Sequence, residues 1–231
     1  MSALMDLLNV LWEPGAVFER VREKPRIWEP LVAILVLQVV LTAVLLSFAR
    51  PVMEAAIQQA MQARGGAAGA MPGSAGVFLG IGVVVQGIIF GVILVFGAGV
   101  LWVLTSIIAG EAKFGTLLSV TAYTSILFVL QLAVSIIVLM ARGRDSLTSP
   151  QDLQVALGLD ILVPGAKGFV GGLLKGINPF AIVGSVLTGI GVSVTHRVSR
   201  GMGYSIAFAA FVVMLLVASA FAGACSGRMG G

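Results

Sequence analysis

Between Val77 and Ala109 the chain runs for 33 residues without one charged side chain, VFLGIGVVVQGIIFGVILVFGAGVLWVLTSIIA. As an α-helix the run would be roughly 50 Å long, against about 30 Å for the hydrocarbon core of a bilayer. No polar face recurs along it at a 3.6-residue period, so it does not read as the half-buried helix of a soluble fold. A segment this apolar needs lipid as its solvent. Its excess length must tilt, bend or leave the bilayer at one end, with Gly80 and Gly82 the expected place to bend or start.

The rest of the chain agrees. A mean hydropathy of +1.08, with 58% apolar and 10% charged residues, lies far from globular averages of roughly half apolar and a quarter charged. A length of 231 residues suits several spans without a sizeable soluble domain. The net charge of +4 is carried between apolar runs, where Lys and Arg anchor to anionic lipids. No clustered basic face points to nucleic acid. A single cysteine, Cys225, excludes an internal disulfide, and a single histidine, His196, excludes a multi-His metal site. Cys225 ends an apolar run and is either acylated or a small buried residue. His196, beside Arg197 and Arg200, reads as an interfacial loop residue.

Taken in order, residues 1–29 form an amphipathic juxtamembrane leader. Leu4, Leu7, Leu8 and Leu11 share one side of a short interfacial helix ending at Trp12. Pro14 opens a second helix through Lys24, with Val17, Phe18 and Val21 on one side and charges on the other, expected to be a solvated helix. Lys24-Pro25 stops it. The membrane domain, 30–224, contains five spans: 30–49, 77–109, 116–140, 177–194 and 204–222. The first is too long for the apolar region of a secretory signal. Arg50-Pro51 closes it, and residues 52–64 can extend the helix beyond the bilayer. Residues 65–76, GGAAGAMPGSAG, read as a flexible hinge. Ser149-Pro150-Gln151-Asp152 starts an interfacial helix near 150–160. Residues 225–231 are a short tail.

The spans hold no Asp, Glu, Lys, Arg or His, which argues against a proton relay or an ion-coupled pump. No GxSxG, HExxH or paired-carboxylate motif is present, so the chain reads as no enzyme, with no cofactor and no metal. The spans carry small residues and amides instead. Gly87 and Gly91 form a GxxxG, and Ser185 and Gly189 its serine variant; both let helix backbones approach closely. Gln38, Gln86 and Gln131 place one amide in each of the first three spans. An unpaired amide in hydrocarbon costs several kcal/mol, so the three are expected to form a buried polar cluster. That cluster is either structural or the lining of a ligand pocket.

Three stretches carry a family likeness. Pro14…Phe18 and Pro25…Trp28-Glu29-Pro30-Leu31 precede the first span. Phe114-Gly115-Thr116-Leu117-Leu118-Ser119-Val120-Thr121-Ala122-Tyr123-Thr124-Ser125 runs into the third. Asn178-Pro179-Phe180 opens the fourth, with Gly189 and Gly191 further along. Together these resemble the bacterial branch of the Yip-type (YIPF) five-span membrane proteins. The resemblance implies an all-α polytopic membrane helix bundle of five transmembrane helices plus interfacial amphipathic helices. It also implies a cytoplasmic N-terminus, where the positive-inside count alone divides the Lys and Arg residues equally between the two sides. Eukaryotic relatives act in Golgi and endoplasmic-reticulum trafficking and bind Rab GTPases through a longer N-terminal segment; the short leader here departs from that pattern. The expected role is a scaffold or adaptor in a bacterial inner membrane. Its partners would be the lipid bilayer and proteins at the cytoplasmic face, and a homo-oligomer is compatible with it. The alternative is a small-molecule or lipid transporter or channel with a glutamine-lined cavity.

Overall fold

A computed structural model describes residues 3–63 and 74–228 of the chain. They form α1 (Ala3–Asn9), α2 (Pro14–Glu23), α3 (Trp28–Ala63), α4 (Ser74–Ala109), α5 (Phe114–Thr124), α6 (Ile126–Arg142), α7 (Gly168–Gly176), α8 (Pro179–His196) and α9 (Arg200–Arg228), with short 3₁₀ turns between α6 and α7. No strand occurs among the described residues. Five segments are long and apolar enough to cross a membrane: Trp28–Ala60, Gly80–Ala109, Phe114–Arg142, Pro179–His196 and Arg200–Ala224. The expected hinge at 65–76 falls largely outside the described residues, as do the side chains of the tail, Cys225 included.

Several boundaries differ from the expected ones. α3 continues through Pro51 to Ala63, and Arg50 Nε donates to Glu54 Oε1 at 2.7 Å across that turn. Proline is tolerated inside apolar helices because neighbouring groups re-satisfy the freed carbonyls. α4 begins at Ser74, ahead of Gly80 and Gly82, and is one helix of 36 residues. It ends at Gly110, whose φ of +82° is the left-handed conformation that closes helices and that glycine adopts without strain. The third apolar segment is two helices, interrupted at Ser125. There the hydroxyls of Thr121, Thr124 and Ser125 donate to Leu117, Thr121 and Ala122 carbonyls at 3.0, 3.2 and 2.7 Å. Such back-bonding bends and ends helices. Residues 150–160 form 3₁₀ turns, Pro150–Leu153 and Leu159–Ile161, where an α-helix was expected. α9 runs on past 222 to Arg228.

The chain divides into two compact units. In the first (Met1–Ile34, Val92–Leu130, Ala156–Gly231), α7 and α8 pack along α9, α5 packs on α8, and α1 and α2 lie on α5 and α8. Its apolar core gathers Leu101, Leu117, Val192, Ile206 and Ala210. Small residues make the close crossings. A Cβ built on Gly189 would lie 2.5 Å from Tyr204 Cδ1, and one on Gly172 would lie 2.9 Å from Ser219 Cα. The turn after α4 is tied at two points. Trp102 Nε1 donates to the Ala112 carbonyl at 3.1 Å, and the Lys113 amide donates to His196 Nε2 at 3.4 Å.

In the second unit (Leu35–Gly91, Gln131–Val155), side chains of α3 approach Gly87 and Gly91 of α4. A Cβ on Gly87 would lie 3.2 Å from Val39, and one on Gly91 would lie 3.9 Å from Leu35. The Arg144 guanidinium stands 5.2 Å from the Phe48 ring centroid, a cation–π contact. Asp152 reaches back to accept from the amides of Thr148 and Ser149 at 2.8 and 2.7 Å and from their hydroxyls at 2.9 and 3.1 Å. These donors hold its carboxyl below the ordinary carboxylate range, the Thr148 amide first, then the Ser149 amide, then the hydroxyls. A carboxyl with a lower folded than unfolded pKa steadies its turn above the unfolded value. That contribution is lost as pH falls through the folded one. Amide protection at Thr148 and Ser149 is therefore expected to fall as pH drops below about 4. Exchange measured across that range checks it: Asp152→Asn should remove the pH dependence, and a variant that keeps it would refute the assignment.

Candidate functional site: the docked amino-terminal helices

The leader is packed onto the bundle. In α2 Pro14 occupies the first turn, where its missing amide costs no hydrogen bond. The helical period then places Val17, Phe18 and Val21 on one side, and all three are buried, Phe18 completely. The Phe18 ring lies where Gly191 of α8 lacks a side chain: a Cβ there would be 3.1 Å from Phe18 Cζ and 2.5 Å from Val120 Cγ1 of α5. Leu7 and Val10 bury the inner side of α1 and the turn after it, while Leu4, Met5, Leu8 and Trp12 stay exposed. The expected solvated helix is thus anchored along one side, and only its charged side is free.

Charge locks the arrangement. Asp6 of α1 is buried, and its Oδ1 accepts from Arg20 Nη2 of α2 at 2.7 Å. Removing either partner would strand the other, which is costly for the buried carboxylate. Arg22 pairs with Glu19 at 2.6 Å and Arg26 with Glu29 at 3.2 Å, both as exposed i,i+3 neighbours that contribute little. Between α1, α2 and α5 lies a cavity of about 200 Å³, lined by Asp6, Arg20, Val21, Glu23, Lys24, Arg26 and Tyr123.

The stretch from Phe114 to Ser125 supplies the floor. Thr116, Leu117, Ser119, Val120, Ala122, Tyr123, Thr124 and Ser125 are buried. The hydroxyls of Ser119, Thr121, Thr124 and Ser125 bond back to their own helix, and Thr188 of α8 donates to Thr124 Oγ1 at 3.3 Å. Asn178 joins α7 to α8: its Oδ1 accepts from the Ala181 amide at 2.9 Å and its Nδ2 donates to the Lys175 carbonyl at 3.0 Å. Pro179 follows at the first helical position, and Phe180 is half-buried. Ser185 is buried and donates to the Ala181 carbonyl at 2.9 Å, and Gly189 meets Tyr204 of α9.

The glutamines do not form the expected buried cluster. Gln38 is buried with its Oε1 unpartnered, Gln131 is half-buried, and Gln86 is exposed on α4. No hydrogen bond joins the three among the described residues. A helix apolar all round carries no periodic signal for which side meets its neighbours, so an isolated amide cannot be assigned to the inside. Sequence reasoning also missed the Asp6–Arg20 pair, whose partners are 14 residues apart. The signal within reach was the buried row of α2, which needs a surface to cover it. Among the described residues no group of three or more His, Cys, Asp or Glu could hold a metal ion.

An all-helical chain with five apolar helices long enough to cross a membrane, carrying an amphipathic pair docked on it, defines a polytopic α-helical membrane protein. The chain belongs to the Yip1 domain family, whose domain matches residues 8–222, from the end of α1 into α9. It is similar to the membrane protein YknW of Bacillus subtilis (strain 168), with 26% identity over 219 residues that cover 94% of this chain and 90% of that relative. No solved structure matches it significantly.

Proposed function

We propose that the chain is a non-enzymatic scaffold or adaptor of a bacterial inner membrane that presents its docked amino-terminal helices to protein partners on the cytoplasmic side. The observation that carries this reading is the division of α2 into a row buried on α5 and α8 and an outward charged row with Glu19 exposed. A helix held in one orientation displays a constant surface, which lowers the ordering cost of binding. A bacterial relative and the four cations clustered before the first apolar helix support the membrane and its orientation. The transport alternative rests on three glutamines sharing a cavity; the exposure of Gln86 on α4 and the absence of a hydrogen bond among the three in the described residues favour the scaffold reading.

The test is site-specific photocrosslinking in native membranes from a probe placed at Ala16, which is exposed on α2 beside Glu13 and Glu19. Discrete protein adducts are expected, and Glu13→Lys with Glu19→Lys should abolish them while thermal stability stays within about 0.5 kcal/mol, as is usual for surface changes. Adducts that persist unchanged in the charge-reversed chain, or none from the wild type, would end the adaptor reading.

A further inference from the structure

We propose that the cavity between α1, α2 and α5 binds the headgroup of a glycerophospholipid that carries its own primary ammonium, as phosphatidylethanolamine does. The phosphate would sit on Arg20, Lys24 and Arg26, and the ammonium on Glu23.

The lining points to this chemistry group by group. Arg20 has one side of its guanidinium committed to Asp6 at 2.7 Å, but its Nε is buried and has no hydrogen-bond partner. A buried N–H without an acceptor is destabilising, and an anionic oxygen is the acceptor that suits a guanidinium best. Lys24 makes no ion pair among the described residues, so its ammonium is available to the same anion. Glu23 also lines the cavity without an ion pair there. Beside a bare phosphate that carboxylate would repel; beside a zwitterion it finds a cation. A volume of about 200 Å³ is several times the roughly 30 Å³ share of one water, enough for a phosphate and a short amine.

The surroundings select a lipid over a free ion. Trp12 and Trp28 are 75% and 74% exposed, and Leu4, Met5 and Leu8 form an exposed apolar row on α1. Exposed tryptophans beside a first membrane helix mark headgroup depth, and an amphipathic helix with an apolar outer side lies against the acyl boundary.

The experiment uses the full chain in nanodiscs of phosphatidylcholine doped with an equal minor fraction of phosphatidylethanolamine and phosphatidylglycerol. Native mass spectrometry reads the retained lipid, and inorganic phosphate is tested separately by thermal shift in detergent. Phosphatidylethanolamine is expected to be retained over both competitors. Lys24→Gln with Arg26→Gln should lower its retention by about tenfold or more, the scale of one lost charge-assisted contact. Glu23→Gln should shift preference towards phosphatidylglycerol. Arg22→Gln removes the same charge from α2 without touching the cavity and should change nothing. Arg20→Lys keeps the pairing charge for Asp6 but removes the Nε donor, and should lower retention without unfolding the chain. Equal loss in Arg22→Gln would reduce the effect to general surface charge and overturn the proposal. So would preference for phosphatidylglycerol in the wild type, no lipid retained above the phosphatidylcholine background, or saturable inorganic phosphate binding with no retained lipid.

Discussion

Phe18→Ala is expected to release the amino-terminal helices while leaving the membrane helices in place. Phe18 is wholly buried between α2, α8 and α5, and Gly191 offers no side chain to close the space its removal would leave. Truncating a buried phenylalanine costs about 3–5 kcal/mol, part lost transfer and part cavity. Among the described residues the other buried ties of α1 and α2 are Val17, Val21, Leu7, Val10 and the Asp6–Arg20 ion pair. The loss should therefore appear as local opening rather than global unfolding. Trypsin cleavage after Arg22 and Arg26 should accelerate by on the order of 10²-fold, since each 1.4 kcal/mol is a factor of ten. Gly191→Leu, made on the opposite side of the same contact, should give the same cleavage pattern. A Phe18→Ala chain as resistant to trypsin as the wild type would show that the leader is held by something else.

Gly203→Val should have the larger effect on the membrane domain itself. A Cβ at this position would lie 2.5 Å from the Gly189 carbonyl oxygen, 2.8 Å from Ser193 Cβ and 3.1 Å from the Ser193 amide nitrogen. Two of those three atoms are backbone, so no rotamer change relieves them and α8 must move away from α9. Overpacking of this kind typically costs 1–3 kcal/mol and sometimes more; with a backbone clash the upper end, about 3 kcal/mol, is expected. Association of apolar helices in lipid depends on close van der Waals approach rather than on exclusion of water, so an opened crossing has little to replace it. Gly201→Ala, two residues earlier on the same helix, meets nothing within 4 Å and should be neutral or slightly stabilising. Thermal unfolding and monodispersity in detergent, measured for both variants side by side, check the pair. Similar behaviour of the two would mean that the α8–α9 crossing is not close-packed.

Which parts of the molecule were legible in advance follows from the range of each interaction. Pro14, the row Val17, Phe18 and Val21, and the Lys24-Pro25 stop announce α2 within ten residues of chain, and α2 is there. Gly87 and Gly91 suggest a helix-packing side through their spacing alone, and the nearest atoms to a Cβ at either are side-chain atoms of α3, at 3.2 Å for Gly87 and an ordinary 3.9 Å for Gly91. The break at Ser125 was hidden because Thr121, Thr124 and Ser125 within an apolar run leave its hydropathy high enough for a continuous span. α7 was hidden for the opposite reason: Gly168–Gly176 is short and follows a polar connection, so it reads as loop. The cavity had no sequence signature, since Asp6, Arg20, Lys24 and Tyr123 become neighbours only when α1 and α2 fold back onto α5.

The sequence by itself determined the solvent and the class. Transfer of an uncharged run of twenty or more residues into hydrocarbon is a local property, additive along the chain, and it needs no knowledge of partners. Five such runs, and an amphipathic leader ahead of them, were therefore readable one at a time. Only the tertiary structure decided which sides of those helices meet. Helices apolar on every side carry no periodic mark that separates a neighbour from lipid, and for this reason Gln86 could be placed in a buried cluster and yet stand exposed. The same physical fact puts the meaning of Gly191, Gly203 and the Asp6–Arg20 pair outside the reach of spacing rules: each acts through an atom that another helix brings to it.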